Sequence, residues 1–428
     1  MGDWREIYEK LVAFLEEYDP SRSFNLRGDV LATFTELREK FKEEFVNYVV
    51  NVNKLREAES WIERLKEEME ELEGELGLKG YILPKELRSF VEDPKAHLKK
   101  KIFLYMHDLL RGKLKLDEFE RSASAAVRTS LRTNMRSVYQ TWVLISLLKG
   151  LAKGGAKLVY PEYGILSLDR AGKQRGGGIP PNVILWVGGG YLSFFLEAPR
   201  PLGWEDSRDL RRAWAFYVAL RPDILTYAGR VLNIVSEEFN PPIRRPDIII
   251  ECKELDDWYV RTRDMRGPFS KPLTAEEWRS RWIKGLYKGL AEALGVKEGE
   301  VEQAMGEKRG IRVKEPRLLY LYKAFYSPKY LILISRAPLP KGLREDLEEG
   351  DIKVYDGVGF DEGKLAPVIE VLKEEASKSS DKAPIILEGE LADLVYKLSA
   401  KMKLPPLKAI KEALLRALKE GNGAPAGI

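Results

Sequence analysis

Two short segments contain the residue types best suited to chemistry. Asp223 precedes one strand-like run, and the triplet Glu251, Cys252 and Lys253 ends another, the apolar run 248–250. Because side chains alternate along a strand, Glu251 and Lys253 are predicted to share one face, with Cys252 on the other. A carboxylate and an ammonium at the end of a buried run are costly unless they pair or bind something. The pattern therefore indicates either a binding site or a salt-bridged strand end.

Phosphodiester hydrolysis needs side chains of these types. A hard cation such as Mg²⁺ or Mn²⁺ prefers oxygen ligands. The carboxylates of Asp223 and Glu251 and the carbonyl of Cys252 supply three. Such an ion polarises a phosphate and lowers the pKa of a bound water. Lys253 is then expected to orient or deprotonate that water and to stabilise charge on the phosphate oxygens.

The order Pro222-Asp223, a gap, and Glu251-x-Lys253 after an apolar strand resembles the signature of PD-(D/E)xK nucleases, over residues 130–370. The resemblance implies a restriction-endonuclease-like α/β fold with a mixed central sheet flanked by helices. It also implies DNA as the substrate, Asp223 and Glu251 as metal ligands, and Lys253 as the catalytic lysine. Two alternatives stay open: a non-catalytic DNA-binding or scaffold protein on the same fold, and a purely structural oligomer.

Two departures from that family concern the acidic residues. Many members carry a glutamate on the first core helix, where this chain has the neutral Gln140. Either Glu162 or Glu197 supplies a further acid, or the site has only two. A second Pro-Asp pair ends at Asp247, four residues before the triplet. That separation is too short for the usual hairpin, so the earlier aspartate is favoured.

Basic residues near these segments indicate a DNA partner. A helix predicted over 274–295 mixes cations with aromatic groups at Arg279, Arg281, Lys284, Tyr287 and Lys288. Cations there would meet phosphates, which supply much of the affinity for DNA. An amphipathic helix packed through its tryptophans is the alternative. A second candidate for phosphate contact is the Gly-rich loop containing Arg170, Lys173 and Arg175.

The composition excludes several classes of site. A single cysteine, Cys252, rules out a disulfide framework and a thiolate zinc site. His97 and His107 are the only histidines, so a serine-hydrolase or zinc-hydrolase site, which depends on histidine, has weak support. The net charge is only +4, so a nucleic-acid site must come from local clustering of basic side chains.

The same composition predicts where the protein works. Hydrophobic residues make up 44% and charged residues 32%, a mixture typical of soluble globular proteins. No apolar run approaches the roughly 20 residues of a membrane span, and the acidic, amphipathic start is unlike a signal peptide. A cytoplasmic protein without a membrane partner is therefore expected. High Lys and Glu content with few His and Cys suits a thermophile.

The chain is predicted to divide into five parts. They are a helical or coiled-coil arm (1–80), a helical connector (81–125), the nuclease-like domain (126–376), a linker (377–384) and a C-terminal module (385–421). A helix over 132–151 is apolar nearly all round and should be buried. Beyond it, strand and helix patterns alternate to residue 376, which indicates an α/β domain with helices on both faces of a sheet.

The arm is predicted from one long helical pattern. Asp29 resembles an N-cap, and apolar residues then recur at spacings of three and four until Gly77. Such a pattern is typical of a coiled coil that joins two chains. A helix that folds back on its own chain is the alternative, with about equal support.

The C-terminal module resembles a ribbon-helix-helix unit, with a strand over 385–391 followed by two helices. That resemblance implies dimerisation through paired strands and DNA contact by the ribbon. Its core positions would be Leu391, Leu394, Leu398, Ile410, Leu414 and Leu418. Pro405-Pro406 stands where the family places backbone donors for phosphate, so dimerisation is favoured over sequence recognition. An unrelated helical hairpin docked on the nuclease-like domain is the alternative.

Overall fold

Apolar runs rich in β-branched and aromatic residues form the strands of a mixed sheet, as their composition predicts. The structure is a computed structural model that describes residues 3–169, 178–198, 221–236, 243–264, 288, 291, 297–306, 312–379 and 389–421. The chain divides into two units, Met1–Asp381 and Lys382–Ile428.

The strands in chain order are β1 (Gly80–Ile82), β2 (Lys157–Tyr160), β3 (Ile165–Ser167), β4 (Val183–Val187), β5 (Gly190–Leu196), β6 (Ile224–Ala228), β7 (Ile248–Lys253), β8 (Thr262–Asp264), β9 (Arg312–Lys314), β10 (Tyr330–Ser335) and β11 (Lys353–Tyr355). Among the described residues, the main sheet has the order β11-β10-β7-β6-β5-β4-β2. Strand β10 is parallel to β7 and β11, and the other neighbours are antiparallel. The pairs β1–β3 and β8–β9 form two small sheets.

The helices of the first unit are α1 (Trp4–Tyr18), α2 (Gly28–Val49), α3 (Val52–Leu76), α4 (Lys85–Glu92), α5 (Pro94–Lys101), α6 (Phe103–Leu110), α7 (Leu116–Lys153), α8 (Glu298–Gly306), α9 (Glu315–Tyr326), α10 (Lys341–Glu349) and α11 (Ala366–Ser377). Helix α7 contains the predicted buried helix but begins earlier, inside the predicted connector. Nothing in the sequence analysis predicts α8 or α9. In the part of the chain that the structure describes, no helix is both long and apolar enough to span a bilayer.

Helices cover both faces of the main sheet. On one face, Ile248 and Ile250 share a core with residues of α3, α7 and α11. On the other face, Ile249 and Leu333 pack with residues of α9 and α10. Successive residues of β7 thus enter different cores, as the pleat of a strand requires. The predicted mixed α/β architecture, with a central sheet flanked by helices, is confirmed.

The N-terminal helices do not form a separate coiled-coil arm. The chain leaves the helix at 50–51, where the side chain of Asn51 accepts a hydrogen bond from the backbone N of Asn53 (2.8 Å) and caps α3. Helix α2 begins at Gly28, so the predicted N-cap, Asp29, lies inside it. Beyond the break, α3 packs along α7 and its apolar residues join the main core. Much of the stripe that indicated a coiled coil is therefore buried within this chain, although Leu31, Tyr48 and Val52 are exposed.

The second unit is a pair of helices, α12 (Glu390–Met402) and α13 (Pro406–Gly421). Most of the predicted strand 385–391 lies outside the described residues, but its last two residues, Glu390 and Leu391, belong to α12. Leu391, Leu394 and Leu414, predicted as core positions, are more than half exposed in the single chain. In a dimer, a second copy would cover these leucines. Dimerisation through this unit stays a prediction.

A close contact fixes the position of α11 on the β4–β5 hairpin. A Cβ added at Gly190 would lie 1.8 Å from the backbone O of Ala376. Because backbone cannot swing aside, Gly190→Ala is expected to lower the free energy of unfolding by about 1–3 kcal/mol. Gly74→Ala is the control, since that exposed helical position has open space around it, and a gain of about 0.5–1 kcal/mol is expected. Urea unfolding of both variants checks this, and equal stabilities would contradict the packing.

Candidate active site

Asp223 meets the end of β7 because β6 and β7 are antiparallel neighbours. Ile224 pairs with Ile250, so the start of β6 lies beside the end of β7. Asp223 Oδ2 accepts a hydrogen bond from the backbone N of Cys252 (2.7 Å). The backbone N of Asp223 donates to Glu251 Oε2 (3.2 Å). The two carboxylates predicted as metal ligands are thus brought together.

Both carboxylates are buried, with Asp223 7% and Glu251 2% exposed. Burial, and then the neighbouring charge of Glu251, raise the pKa of Asp223 well above its ordinary value. The positive charge of Lys253 and the hydrogen bond from the backbone of Cys252 oppose that rise. A buried acid whose charged form is destabilised beside a second carboxylate is a group that a bound cation would stabilise.

Lys253 lies on the same face of β7 as Glu251, as the alternation predicts. Its Nζ is 2.9 Å from Glu251 Oε1 and 2.8 Å from Glu315 Oε2. The lysine is only 6% exposed, so its charge depends on these two acids for compensation. The ring of Trp258 also lies near, with its centroid 5.4 Å from Nζ.

Cys252 points its side chain away from the acids. The thiol lies in the core that faces α7, and burial raises its pKa well above the ordinary value. Successive backbone groups of a strand point to opposite neighbours. The carbonyl of Lys253 accepts a hydrogen bond from the backbone N of Arg336, just beyond β10. The Cys252 carbonyl therefore points toward β6 and Asp223, as a metal ligand would.

Gln140 reaches the same cluster from α7. Its Nε2 donates to Asp223 Oδ1 at 2.6 Å. The amide holds the carboxylate in place without adding a third negative charge. The residue that departs from the family pattern is thus in direct contact with the predicted metal ligand.

The other acids considered from sequence occupy different places. Glu197 follows β5 and lines the same cavity, and its backbone N donates to the carbonyl of Asp223 (2.7 Å). Glu162 is exposed between β2 and β3 and is not among the lining residues that the structure describes. Asp247 lies at the opposite end of β7, where it accepts a hydrogen bond from the backbone N of Ala228 (2.8 Å). Asp223 is therefore the aspartate near the triplet.

These residues line a cavity of about 590 Å³. Its charged lining consists of Glu197, Asp223, Glu251, Glu254 and Glu315 together with Arg132, Arg136, Arg221, Lys253 and Arg261. Acids and cations lie side by side, an arrangement suited to a ligand that carries both a divalent cation and anionic oxygens.

Several residues of the cavity lining were missed from sequence, among them Glu315, Glu254 and Arg136. Glu315 is the first residue of α9 and lies 62 positions after its partner Lys253. Glu254 is 5% exposed, and burial raises its pKa. Arg136 lies one helical turn before Gln140 on α7. Only Glu315 left a local signal, because an acid followed by proline before an apolar periodic run is typical of a helix start.

Most of the predicted DNA-contacting residues cannot be placed against this site. Arg279, Arg281, Lys284 and Tyr287 lie outside the described residues, as do Arg170, Lys173 and Arg175 of the Gly-rich loop. Lys288 is described and exposed. The predicted contact between this helix and DNA stays a prediction.

The donors fit the implied Mg²⁺. In the described ranges, no three His, Cys, Asp or Glu side chains cluster closely enough to hold a metal. Mg²⁺ itself usually keeps several waters and needs only one or two carboxylates. Asp223, Glu251 and the Cys252 carbonyl supply that number.

No protein-family model matches the chain, and neither a curated protein nor a solved structure matches it. The chemistry of the site is therefore inferred from the geometry of its own residues.

Proposed function

We propose that the chain is a metal-dependent nuclease of the PD-(D/E)xK type that hydrolyses phosphodiester bonds in DNA. One observation carries the proposal. Asp223, Glu251 and Lys253 come from the adjoining ends of two neighbouring strands and meet in one buried cluster inside a cavity. The motif requires this meeting of an active member, and it supports the proposal.

Asp223 and Glu251, with the Cys252 carbonyl, would hold Mg²⁺ or Mn²⁺. When bound, the ion supplies Lewis acidity toward a phosphate oxygen and lowers the pKa of a water ligand. Gln140 fixes the orientation of Asp223 through the 2.6 Å hydrogen bond. The tight hydrogen bonds around Asp223 keep the ligands in position before substrate arrives.

Lys253 supplies the positive charge closest to these carboxylates. Its ammonium donates to Glu251 and Glu315, so it is held at a defined point in the cavity. From there it would orient the attacking water and stabilise charge that develops on the phosphate oxygens. Glu315 would position this ammonium, since it contacts Lys253 and is not part of the motif.

The inactive-relative alternative has one observation in its favour. Gln140 is neutral and already satisfies one oxygen of Asp223, so α7 does not supply the acid that many members of the family carry there. A protein of this kind would bind DNA and never cut it. A purely structural oligomer would show no affinity for DNA even at low salt.

Cleavage assays with plasmid, linear duplex and single-stranded DNA test the proposal. We expect cutting with Mg²⁺ or Mn²⁺, none with EDTA, and a loss of roughly 10³-fold or more in Glu251→Gln. Glu162→Gln is the matched control, because the same chemical change is made at an exposed position away from the cavity. A folded wild type that cuts none of these substrates, or equal activity in both variants, would contradict the proposal.

A further inference from the structure

One face of α7 carries arginines at a spacing of four residues. They are Arg128, Arg132 and Arg136, and the next position in the series is Gln140, which contacts Asp223. Residues four apart lie on one helix face, separated by about 6 Å along the axis. The three arginines, here named the arginine row, therefore lie in line with Gln140, which contacts the acid cluster of Asp223 and Glu251.

The arginine row has no ion pair or hydrogen bond within the described ranges, although the charge of Arg136 acts on the buried acids Asp223 and Glu254. The buried Nε of Arg136 likewise has no acceptor in that part of the chain. Like charges four residues apart on a helix repel each other. Such a row is stabilised when an anion with regularly repeated charges covers it.

Two cavities follow the arginine row. Arg132 and Arg136 line the active-site cavity, while Arg128 and Arg132 line a neighbouring cavity of about 530 Å³. Arg132 belongs to both linings, so the two cavities meet at this residue. The apolar part of the second lining includes Trp61, Leu131 and Met135. Cationic and apolar groups side by side suit a strand whose phosphates and unpaired bases both need contacts.

Two acids across the second cavity are already compensated. Asp256 pairs with Arg336, and Asp257 accepts two hydrogen bonds from Arg261, both at 3.0 Å. These two carboxylates therefore do not compete with an incoming anion for the arginine row.

We infer that the arginine row binds successive phosphates of one DNA strand and leads the next phosphate to Asp223, Glu251 and Lys253. The substrate is then single-stranded or locally unpaired DNA. The buried acids lie in a cavity of about 590 Å³, the size of a small-molecule site. A cavity of this volume accommodates a few groups of one unpaired strand but not the body of an intact duplex. This inference deepens the proposed function and rests on it.

Binding without cleavage tests the inference. A short labelled single-stranded oligonucleotide is titrated in EDTA with the full chain, by fluorescence anisotropy at several salt concentrations. We compare wild type, Arg132→Gln and the triple variant Arg128→Gln/Arg132→Gln/Arg136→Gln. Each lost phosphate contact is expected to weaken binding roughly tenfold. Each loss should also lower the slope of log affinity against log salt by about 0.7.

Arg64→Gln is the control, since Arg64 is an exposed arginine on α3 outside both cavities. It should bind like wild type, and an unlabelled duplex of the same sequence should compete poorly. Wild-type affinity in the triple variant, or equal losses in Arg64→Gln, would overturn the arginine row. Equal competition by duplex would overturn the single-strand assignment. If binding behaves as expected but no metal supports cleavage, the proposed nuclease activity is wrong, while the inference that the arginine row binds one DNA strand is supported.

Discussion

Lys253→Met is expected to lower the free energy of unfolding by about 3–5 kcal/mol, although it removes a single charge and keeps most of the side-chain volume. Lys253 is 6% exposed and lies 2.9 Å from Glu251 and 2.8 Å from Glu315. Without it, these acids and Asp223 stay buried together and lose the ammonium that lies among them. Removing one partner of a buried pair is costly because the remaining charge has lost the water that would otherwise solvate it.

A second lysine of the same fold provides a matched control. Lys153 also faces two acids, Glu71 at 3.5 Å and Glu362 at 3.6 Å, but its side chain is 47% exposed. Water and salt screen such surface pairs, so Lys153→Met should cost less than about 1 kcal/mol. Urea unfolding of both variants in EDTA measures the difference. Similar small losses would mean that the cluster around Lys253 is solvated.

A double variant separates charge from packing. If excess negative charge causes the loss, Lys253→Met/Glu315→Gln should recover part of it, because one of the carboxylates that lost the ammonium becomes neutral. Recovery would also be expected on adding Mg²⁺, since binding to the folded state alone stabilises it. A loss that neither change reduces would point to packing around the methionine.

The alternation of a strand was sufficient to predict half of the site. Glu251 and Lys253 share a face, and Cys252 points into the opposite core, as the two-residue period of a strand requires. The choice of Asp223 over Asp247 also follows from a local rule. Antiparallel pairing brings the start of one strand to the end of the next, and it leaves Asp247 at the far end of β7.

The missed residues depend on tertiary packing. Glu315 contacts Lys253 only because α9 packs on the sheet, and no periodicity links positions 62 apart. Arg136 becomes part of the site because α7 runs past the ends of β6 and β7. Its buried Nε lacks an acceptor only because of the side chains that pack around it. Local sequence predicts the helix and the strand separately, but it does not predict where the helix crosses the sheet.

The N-terminal helices illustrate the same limit. A stripe of apolar residues at three- and four-residue spacing predicts that a helix face is buried, but it does not name the partner. Here the helix breaks at 50–51, and α3 packs along α7, with Trp61 near Tyr139 (6.3 Å between ring centroids). A capping Asn51 was the available signal for that break.

Asp223→Asn is expected to have opposite effects on activity and stability. Cleavage should fall roughly 10³-fold, because an amide is a poor ligand for a hard cation. In metal-free buffer, the free energy of unfolding should rise by about 0.5–2 kcal/mol, the usual size of a stabilising change at a functional site. Asparagine can still accept from the Cys252 backbone, and a rotated Gln140 amide can accept from its NH₂ group.

The pH dependence of that gain follows from the direction of the pKa shift. Burial and Glu251 raise the pKa of Asp223 in the folded protein above the value of 3.8 expected for an unfolded chain. The ionised carboxylate therefore costs stability in full above the folded pKa. That cost shrinks as the pH falls from the folded pKa toward 3.8, and it vanishes below 3.8, where both states are protonated. The advantage of Asp223→Asn should follow the same course.

Urea unfolding at neutral and at acidic pH measures that course, with Asp247→Asn as the control. Asp247 is also an aspartate at an end of β7, but it lies away from the acid cluster. An Asp223→Asn protein that is less stable than wild type at neutral pH would mean that Asp223 is a net stabilising group, and the argument for a cation at this point would fail. An Asp223→Asn protein that gains stability while losing cleavage would identify Asp223 as a residue retained for binding a metal ion. Lys253→Met, by contrast, should lose both stability and cleavage.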